Sequence, residues 1–152
     1  TSGIVPKIYE LAEENLPITL SISLHAPNDE IRSSLMPVNR KYPIAEVTAA
    51  GKAYANKTKR RVTYEYILID GVNDSEEAAR ELSHLLHGQL ASVNLIPINP
   101  VVERHLRRPS PERIERFSAM LERCHITATV RHEMGTDIQA ACGQLRNQHL
   151  KA

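Results

Sequence analysis

Four short segments rich in β-branched, aromatic and other apolar residues alternate along this chain with longer segments whose apolar residues recur at helical spacing. The strand-like segments are residues 18–24, 61–69, 93–96 and 126–130. Helix-like segments occupy residues 4–15 and 28–36 and begin again near positions 43, 75 and 110. Strands separated by helices pair in parallel, because each crossover carries the chain back over the sheet. The pattern therefore predicts an α/β fold with a four-stranded parallel sheet and helical crossovers.

Residues that cap helices support these boundaries. Asn28 or Asp29 can cap the second helix, Asp74 or Ser75 the fourth, and Ser110 the last. A parallel sheet normally has both faces covered, so we expect helices on both sides and two open edges.

Polar or reactive residues follow three of the predicted strands. Ser23, Leu24 and His25 end the first strand, Asn99 follows the third, and Cys142 follows the fourth. The carboxyl ends of parallel strands lie at one edge of a sheet, where ligands bind in α/β proteins. We therefore expect these residues to contribute to one site.

Each of these residues also has a simpler explanation. His25, before Ala26 and Pro27, can bond a backbone carbonyl within a turn. Asn99 precedes a proline and is typical of turns. Ser23 and Leu24 can be ordinary strand residues, and we expect their backbone groups rather than their side chains to contact a ligand.

Cys142 lies between Ala141 and Gly143, in a segment of small residues that runs from Gly135 to Leu145. Small neighbours leave a thiol accessible to a large substrate, and the thiolate is the nucleophilic form of cysteine. The alternative is a packed C-terminal helix in which Cys142 is a small core residue.

Composition excludes several classes of protein. No apolar run approaches the length of a membrane span, and no signal-peptide pattern opens the chain. Two cysteines indicate a reducing compartment, so we expect a cytoplasmic location and no membrane partner. The net charge of +1 gives no overall nucleic-acid signal, so any RNA contact must use local basic patches.

Four motifs together resemble the RlmN/Cfr family of radical S-adenosylmethionine (SAM) RNA methyltransferases. They are Ser21-Ile-Ser-Leu-His-Ala-Pro-Asn-Asp29, Tyr64-Glu-Tyr66 with Asp70-Gly-Val-Asn-Asp74, Asn94-Leu-Ile-Pro-Ile-Asn-Pro100, and the segment around Cys142. The resemblance runs in order from residue 1 to about 146. It implies that residues 1–152 are the C-terminal half of a partial (β/α)6 radical SAM barrel, a TIM-like fold, with the methyl-carrier cysteine near residues 135–146.

The resemblance also implies what lies elsewhere. The family holds a 4Fe-4S cluster on a CxxxCxxC loop, which two cysteines at positions 124 and 142 cannot form. We therefore expect the cluster-binding half and an N-terminal domain upstream of Thr1, and an inactive fragment when this chain is alone. An isolated fragment with open sheet edges favours self-association.

The function implied by the resemblance is methylation of adenine C2 in large-subunit ribosomal RNA, with transfer RNA left open as a second substrate. Cys142 would take a methyl group from one SAM. A second SAM, cleaved at the cluster with an electron from an external donor, would activate that methyl group for transfer to the base. Ser23, Leu24, His25 and Asn99 match positions that contact SAM in the family.

Other residues allow several interpretations. We expect Glu65 to pair with Arg61 or Arg131, with contact to the cofactor as the alternative. Cys124 is expected to pack at a helix end. The basic loop 103–108 favours RNA contact, whereas the basic turn 57–61 receives no role.

Alternative functions remain open on the sequence. One is methylation of adenine C8, as in the Cfr branch of the same family. Another is a cysteine hydrolase that pairs Cys142 with His132 or His25. The third is a non-catalytic RNA-binding α/β module.

Overall fold

The computed structural model describes residues 1–100 and 106–131. These residues form α1 (Val5–Glu14), β1 (Leu20–Ser23), α2 (Asp29–Leu35), a 3₁₀ helix (Pro37–Arg40), α3 (Ile44–Thr58), β2 (Val62–Leu68), α4 (Glu76–Leu86), β3 (Ala91–Pro97), α5 (Pro111–Arg123) and β4 (Thr127–Val130). The strands lie in the order β1-β2-β3-β4, and all three pairings are parallel. The predicted four-stranded parallel α/β sheet is therefore confirmed.

Side chains cap three of the helices as the sequence indicates. Asn28 Oδ1 accepts from the backbone N–H of Ile31, and Ser75 Oγ accepts from that of Ala78. Ser110 caps α5 in the same way. Each cap satisfies an N–H group that has no partner inside its own helix.

The two faces of the sheet differ in character. One face carries Leu20, Ile22, Val62, Tyr64, Tyr66, Leu68, Val93 and Leu95, all buried in one core with residues of α1, α3, α4 and α5. The alternate residues of β1 and β2 are only partly buried. Within the described residues the helices therefore cover one face, which corrects the expectation that both faces would be covered.

The opposite face carries two polar rows that cross all four strands. The register aligns Ser21, Thr63, Ser92 and Thr127 in one row and Ser23, Glu65, Asn94 and Thr129 in the other. Successive strand residues point to opposite faces, so these side chains share the face away from the core. A polar face on a parallel sheet is unusual, so this surface is a candidate for a ligand site.

Buried tyrosines contribute both apolar area and hydrogen bonds to the core. Tyr64 and Tyr66 are fully buried, and their hydroxyls donate to Gln89 Oε1 and to the Asn73 carbonyl. Gly51 makes room for Tyr64, since a Cβ added at Gly51 would lie 2.2 Å from the Tyr64 hydroxyl. Phe117 packs against Tyr66 with ring centroids 5.3 Å apart.

The outer edge of β1 is partly paired by the first residue of the chain. The Thr1 amino group donates to the Ser21 carbonyl at 2.9 Å, and the Thr1 carbonyl accepts from the Ser23 N–H at 2.8 Å.

Among the described residues, no helix has the length and apolar character needed to cross a membrane.

Candidate functional site

The end of β1 supplies three of the predicted site residues. Ser23 is the last residue of the strand, Leu24 is fully buried, and His25 has a left-handed backbone with φ of 63°. The N–H groups of Leu24 and His25 both donate to the Glu65 carbonyl, at 3.0 and 3.2 Å. The chain therefore turns sharply at this point while remaining bonded to β2.

The His25 imidazole acts as a hydrogen-bond acceptor for β2, a role that a backbone carbonyl of the neighbouring strand normally has. Its Nδ1 accepts from the backbone N–H of Ile67 at 3.1 Å, so the ring carries its proton on Nε2. Burial, together with the positive charge of Arg32, lowers the pKa of His25 from 6.5 to about 4. His25 thus bonds the Ile67 N–H, and a backbone hydrogen bond to Glu65 opposes part of the lowering of its pKa. The neutral ring keeps Nε2–H as a donor.

Asn73, in the predicted Asp70–Asp74 motif, clamps the ends of β1 and β2 together. Its Nδ2 donates to the carbonyls of His25 and Ile67 at 2.9 and 2.6 Å, and its Oδ1 accepts from the Ile69 N–H at 2.8 Å. Asn73 is 1% exposed, and a buried amide with these bonds fixes the local backbone. The motif was visible in the sequence, but its structural role was not.

The same motif is anchored to α5 through a charged pair. Asp74 accepts from Arg113 Nε at 2.6 Å and from Nη2 at 2.7 Å, a bidentate arrangement, and also from the Gly71 N–H. The Asp74 side chain is 2% exposed, whereas that of Arg113 is 44% exposed. This pair fixes the turn after β2 against the N-terminus of α5.

Arg32, on α2, is a site residue that the sequence analysis missed. It is fully buried, and its hydrogen-bond partners among the described residues are uncharged backbone and amide oxygens. It donates to the backbone carbonyls of Ser2, Ser23, Leu24 and Tyr42 and to the side-chain oxygen of Asn39, at 2.7 to 3.3 Å. Its position in the helix predicted at residues 28–36 gave no signal of this burial, since arginine is mostly exposed in proteins.

Arg32 limits how Ser23 and Leu24 can contact a ligand. Both of their carbonyls accept from Arg32, and both of their N–H groups donate elsewhere in the protein. The N–H groups of Ser23 and Leu24 are therefore occupied, and contact of their backbone groups with a ligand stays a prediction. The Ser23 hydroxyl lies on the polar face of the sheet.

Asn99 lies two residues beyond β3 at the same edge of the sheet, and it is half-buried. The Ile98 N–H donates to the Leu68 carbonyl, and the Asp70 N–H donates to the Arg107 carbonyl. These bonds bring the start and end of the loop after β3 beside the end of β2. Asn99 and His25 therefore share one rim, as predicted.

Part of the predicted site lies outside the described residues. This applies to Cys142 with its segment, to His132, and to residues 103–105 of the basic loop. Arg107 and Arg108, at the end of that loop, are exposed.

Glu65 has a different partner from the one expected. Its Oε2 accepts from Asn94 Nδ2 at 2.7 Å, across the β2–β3 register. The expected pairs with Arg61 and Arg131 are wrong for the described part of the chain, where Glu65 takes part in no ion pair. The structure therefore places a carboxylate on the polar face beside Ser23.

Cys124 caps α5 and is half-buried, with its N–H bonded to the carbonyls of Met120 and Leu121, as expected of a residue at a helix end. Within residues 1–100 and 106–131, no group of three acidic, histidine or cysteine side chains is arranged to hold a metal ion. This part of the chain therefore does not fit an iron–sulfur cluster. Hydroxyl, imidazole N–H and amide groups at one rim supply hydrogen-bond donors and acceptors for a polar ligand.

The chain is similar in sequence to known RNA methyltransferases. The chain is 64% identical over 149 residues to a probable dual-specificity RNA methyltransferase RlmN of Symbiobacterium thermophilum, covering 97% of this chain and 40% of that protein. It is 56% identical over 151 residues to the protein of the same name in Caldanaerobacter subterraneus, covering 99% and 44%. The chain thus spans about two fifths of the length of these curated relatives, and no protein-family model matches it.

Solved structures give the same result for the fold. A radical SAM methyltransferase from Sphaerobacter thermophilus superposes with a TM-score of 0.90 at 57% identity, over 95% of this chain and 42% of that one. A domain of pyruvate-formate lyase-activating enzyme from Bacteroides vulgatus gives 0.65 at 17% identity, over 84% and 74%, and bears on the fold alone. The described sheet is therefore part of a radical SAM type of α/β fold.

Proposed function

We propose that this chain is part of an enzyme that methylates adenine C2 in RNA. The chain is a homologue of the RlmN methyltransferases along nearly its whole length. The observation that carries the proposal is the 64% identity over 97% of the chain. A rim of polar groups at the carboxyl ends of β1 and β3 supports it. Ribosomal RNA is the proposed substrate, with transfer RNA as the second, and the location is the cytoplasm.

In this proposal residues 1–152 form the C-terminal part of the barrel. The backbone of Thr1 pairs with the outer edge of β1. The cluster ligands and the entry point for an external electron belong to the remaining part of the longer protein. The residues described here do not fit the cluster, so no step below uses it.

SAM, when bound, supplies an electrophilic methyl group and, in a second molecule, radical chemistry. Backbone groups of Ser23 and Leu24, the Ser23 hydroxyl and the Nε2–H of His25 would hold it in place. The Asn99 amide offers both donors and an acceptor at the same rim. Arg32 and Asn73 fix the backbone around these groups.

Cys142 is proposed as the methyl carrier. Its thiolate would accept the methyl group that SAM supplies, with S-adenosylhomocysteine as the leaving group. Arg107 and Arg108, exposed near Asn99, suit contact with RNA phosphates.

The test uses methyl-labelled SAM and the full-length enzyme that contains this sequence. We expect label on the peptide that carries Cys142, and Cys142→Ser should abolish both this label and RNA methylation. Cys124→Ser is the matched control, since Cys124 caps a helix away from the rim, and it should retain both. Normal methylation by Cys142→Ser would refute the proposal.

A further inference from the structure

Glu65 is a half-buried carboxylate whose hydrogen-bond partner in the described residues is a neutral amide. No lysine, arginine or histidine among residues 1–100 and 106–131 forms an ion pair with it. Removing a carboxylate from water is unfavourable unless an opposite charge compensates. Within residues 1–100 and 106–131, the amide bond to Asn94 orients this carboxylate, and no ion pair compensates its charge.

The strand register places this carboxylate beside Ser23, one of the residues proposed to contact SAM. Glu65 is the Cα partner of Ser23 on β1. Its neighbours Tyr64 and Tyr66 are fully buried on the core side, so Glu65 points to the polar face. Two residues further along β2, the N–H of Ile67 bonds the ring of His25. Glu65 therefore stands in line with two groups that we assign to SAM.

The buried cation Arg32 is matched to another acid. Arg32 Nη1 donates to Asn39 Oδ1, and Asn39 Nδ2 donates to Asp29 Oδ1 at 2.8 Å. Burial lowers the pKa of Arg32, and Asp29 is the acid whose charge opposes that change. Arg32 is therefore compensated by Asp29, to which it is linked through Asn39.

We propose that Glu65 is the electrostatic partner of the SAM sulfonium and makes the site select SAM over its demethylated product, S-adenosylhomocysteine. The two molecules differ by one methyl group and by the positive charge on sulfur. A carboxylate in a partly desolvated site attracts the charged form, because Coulomb interactions strengthen where water is excluded. The selection helps the site to release product and take up fresh SAM. This inference rests on the proposed function.

The decisive variant is Glu65→Gln, which keeps the size of the side chain and an oxygen that can accept from Asn94. Calorimetry on the full-length enzyme would give Kd for SAM and for S-adenosylhomocysteine. We expect the variant to bind SAM about tenfold more weakly and S-adenosylhomocysteine within about twofold of the wild type, since removing a charge partner acts on the charged ligand alone. Glu65→Asp keeps the charge and should retain the preference for SAM.

Thr129→Val is the matched control, because Thr129 lies in the same polar row but is exposed and uncharged. It should leave both constants unchanged. Equal weakening of both ligands by Glu65→Gln would overturn the proposal and assign Glu65 to hydrogen bonding or structure. Unchanged SAM binding by this variant would overturn it as well. Failure of the wild-type enzyme to bind either ligand would instead refute the proposed SAM site itself.

Discussion

His25 makes the stability of this fold depend on pH in a way that can be measured residue by residue. Its pKa in the folded protein is about 4, against 6.5 for an ordinary histidine. Between these values the unfolded chain binds a proton that the folded chain does not, so stability falls as the pH falls. The full shift corresponds to about 3 kcal/mol, at roughly 1.4 kcal/mol for each pKa unit. About 2 kcal/mol of this should be lost between about pH 7 and about pH 5.

The perturbation that isolates this effect is His25→Asn, because asparagine tolerates the left-handed backbone at this position. Near pH 7 the variant should be less stable by about 1–3 kcal/mol, since the Ile67 N–H loses its acceptor. The difference in the free energy of unfolding should then shrink as the pH falls. Only in the wild type does protonation of His25 compete with its hydrogen bond to the Ile67 N–H. Urea denaturation at several pH values gives both curves.

Thr129→Val is the control, since Thr129 is exposed and its hydroxyl does not titrate in this range. Its difference from the wild type should not change with pH. A constant difference between the wild type and His25→Asn across the same pH range would refute the assigned Nδ1 bond and its effect on the pKa.

Two further variants test how the rim and the core are held. Arg32→Met should lower the free energy of unfolding by about 3–5 kcal/mol, because it leaves several buried oxygens without donors; exposed Arg80→Met, measured by the same urea denaturation, should cost less than about 0.5 kcal/mol. Gly51→Ala should cost about 1–3 kcal/mol because its Cβ would meet the Tyr64 hydroxyl at 2.2 Å, and thermal unfolding close to that of the wild type would contradict the close packing at this glycine.

The strands and helices could be predicted because their signals are local. The segment predicted at residues 61–69 became Val62–Leu68, and the one at 126–130 became Thr127–Val130. Apolar periodicity and capping residues act within a few positions, so a single sequence contains what is needed. The polar face was not predicted, since the rule for parallel sheets favours cover on both sides.

The interior of the rim could not be predicted because its contacts join distant positions through backbone oxygens. Asn73 bonds the carbonyl of His25, 48 positions earlier, and Arg32 bonds that of Ser2, 30 positions earlier. A backbone acceptor has no residue-type signal in the sequence. The strand ends at His25 and Asn99 predicted where this region lies, but not the bonds that hold it together.

The bonding of His25 also decides between two kinds of chemistry for this site. A general base needs an unprotonated nitrogen that faces the reacting group. The lone pair of Nδ1 is directed at the Ile67 N–H, and Nε2 carries the proton. The pKa of about 4 keeps the ring neutral near neutral pH, so it cannot act as an acid there either. His25 can therefore hold a ligand through Nε2–H but cannot activate Cys142 as the base of a cysteine hydrolase. That geometry argues against the hydrolase version that uses His25 and favours a site in which the chain positions SAM.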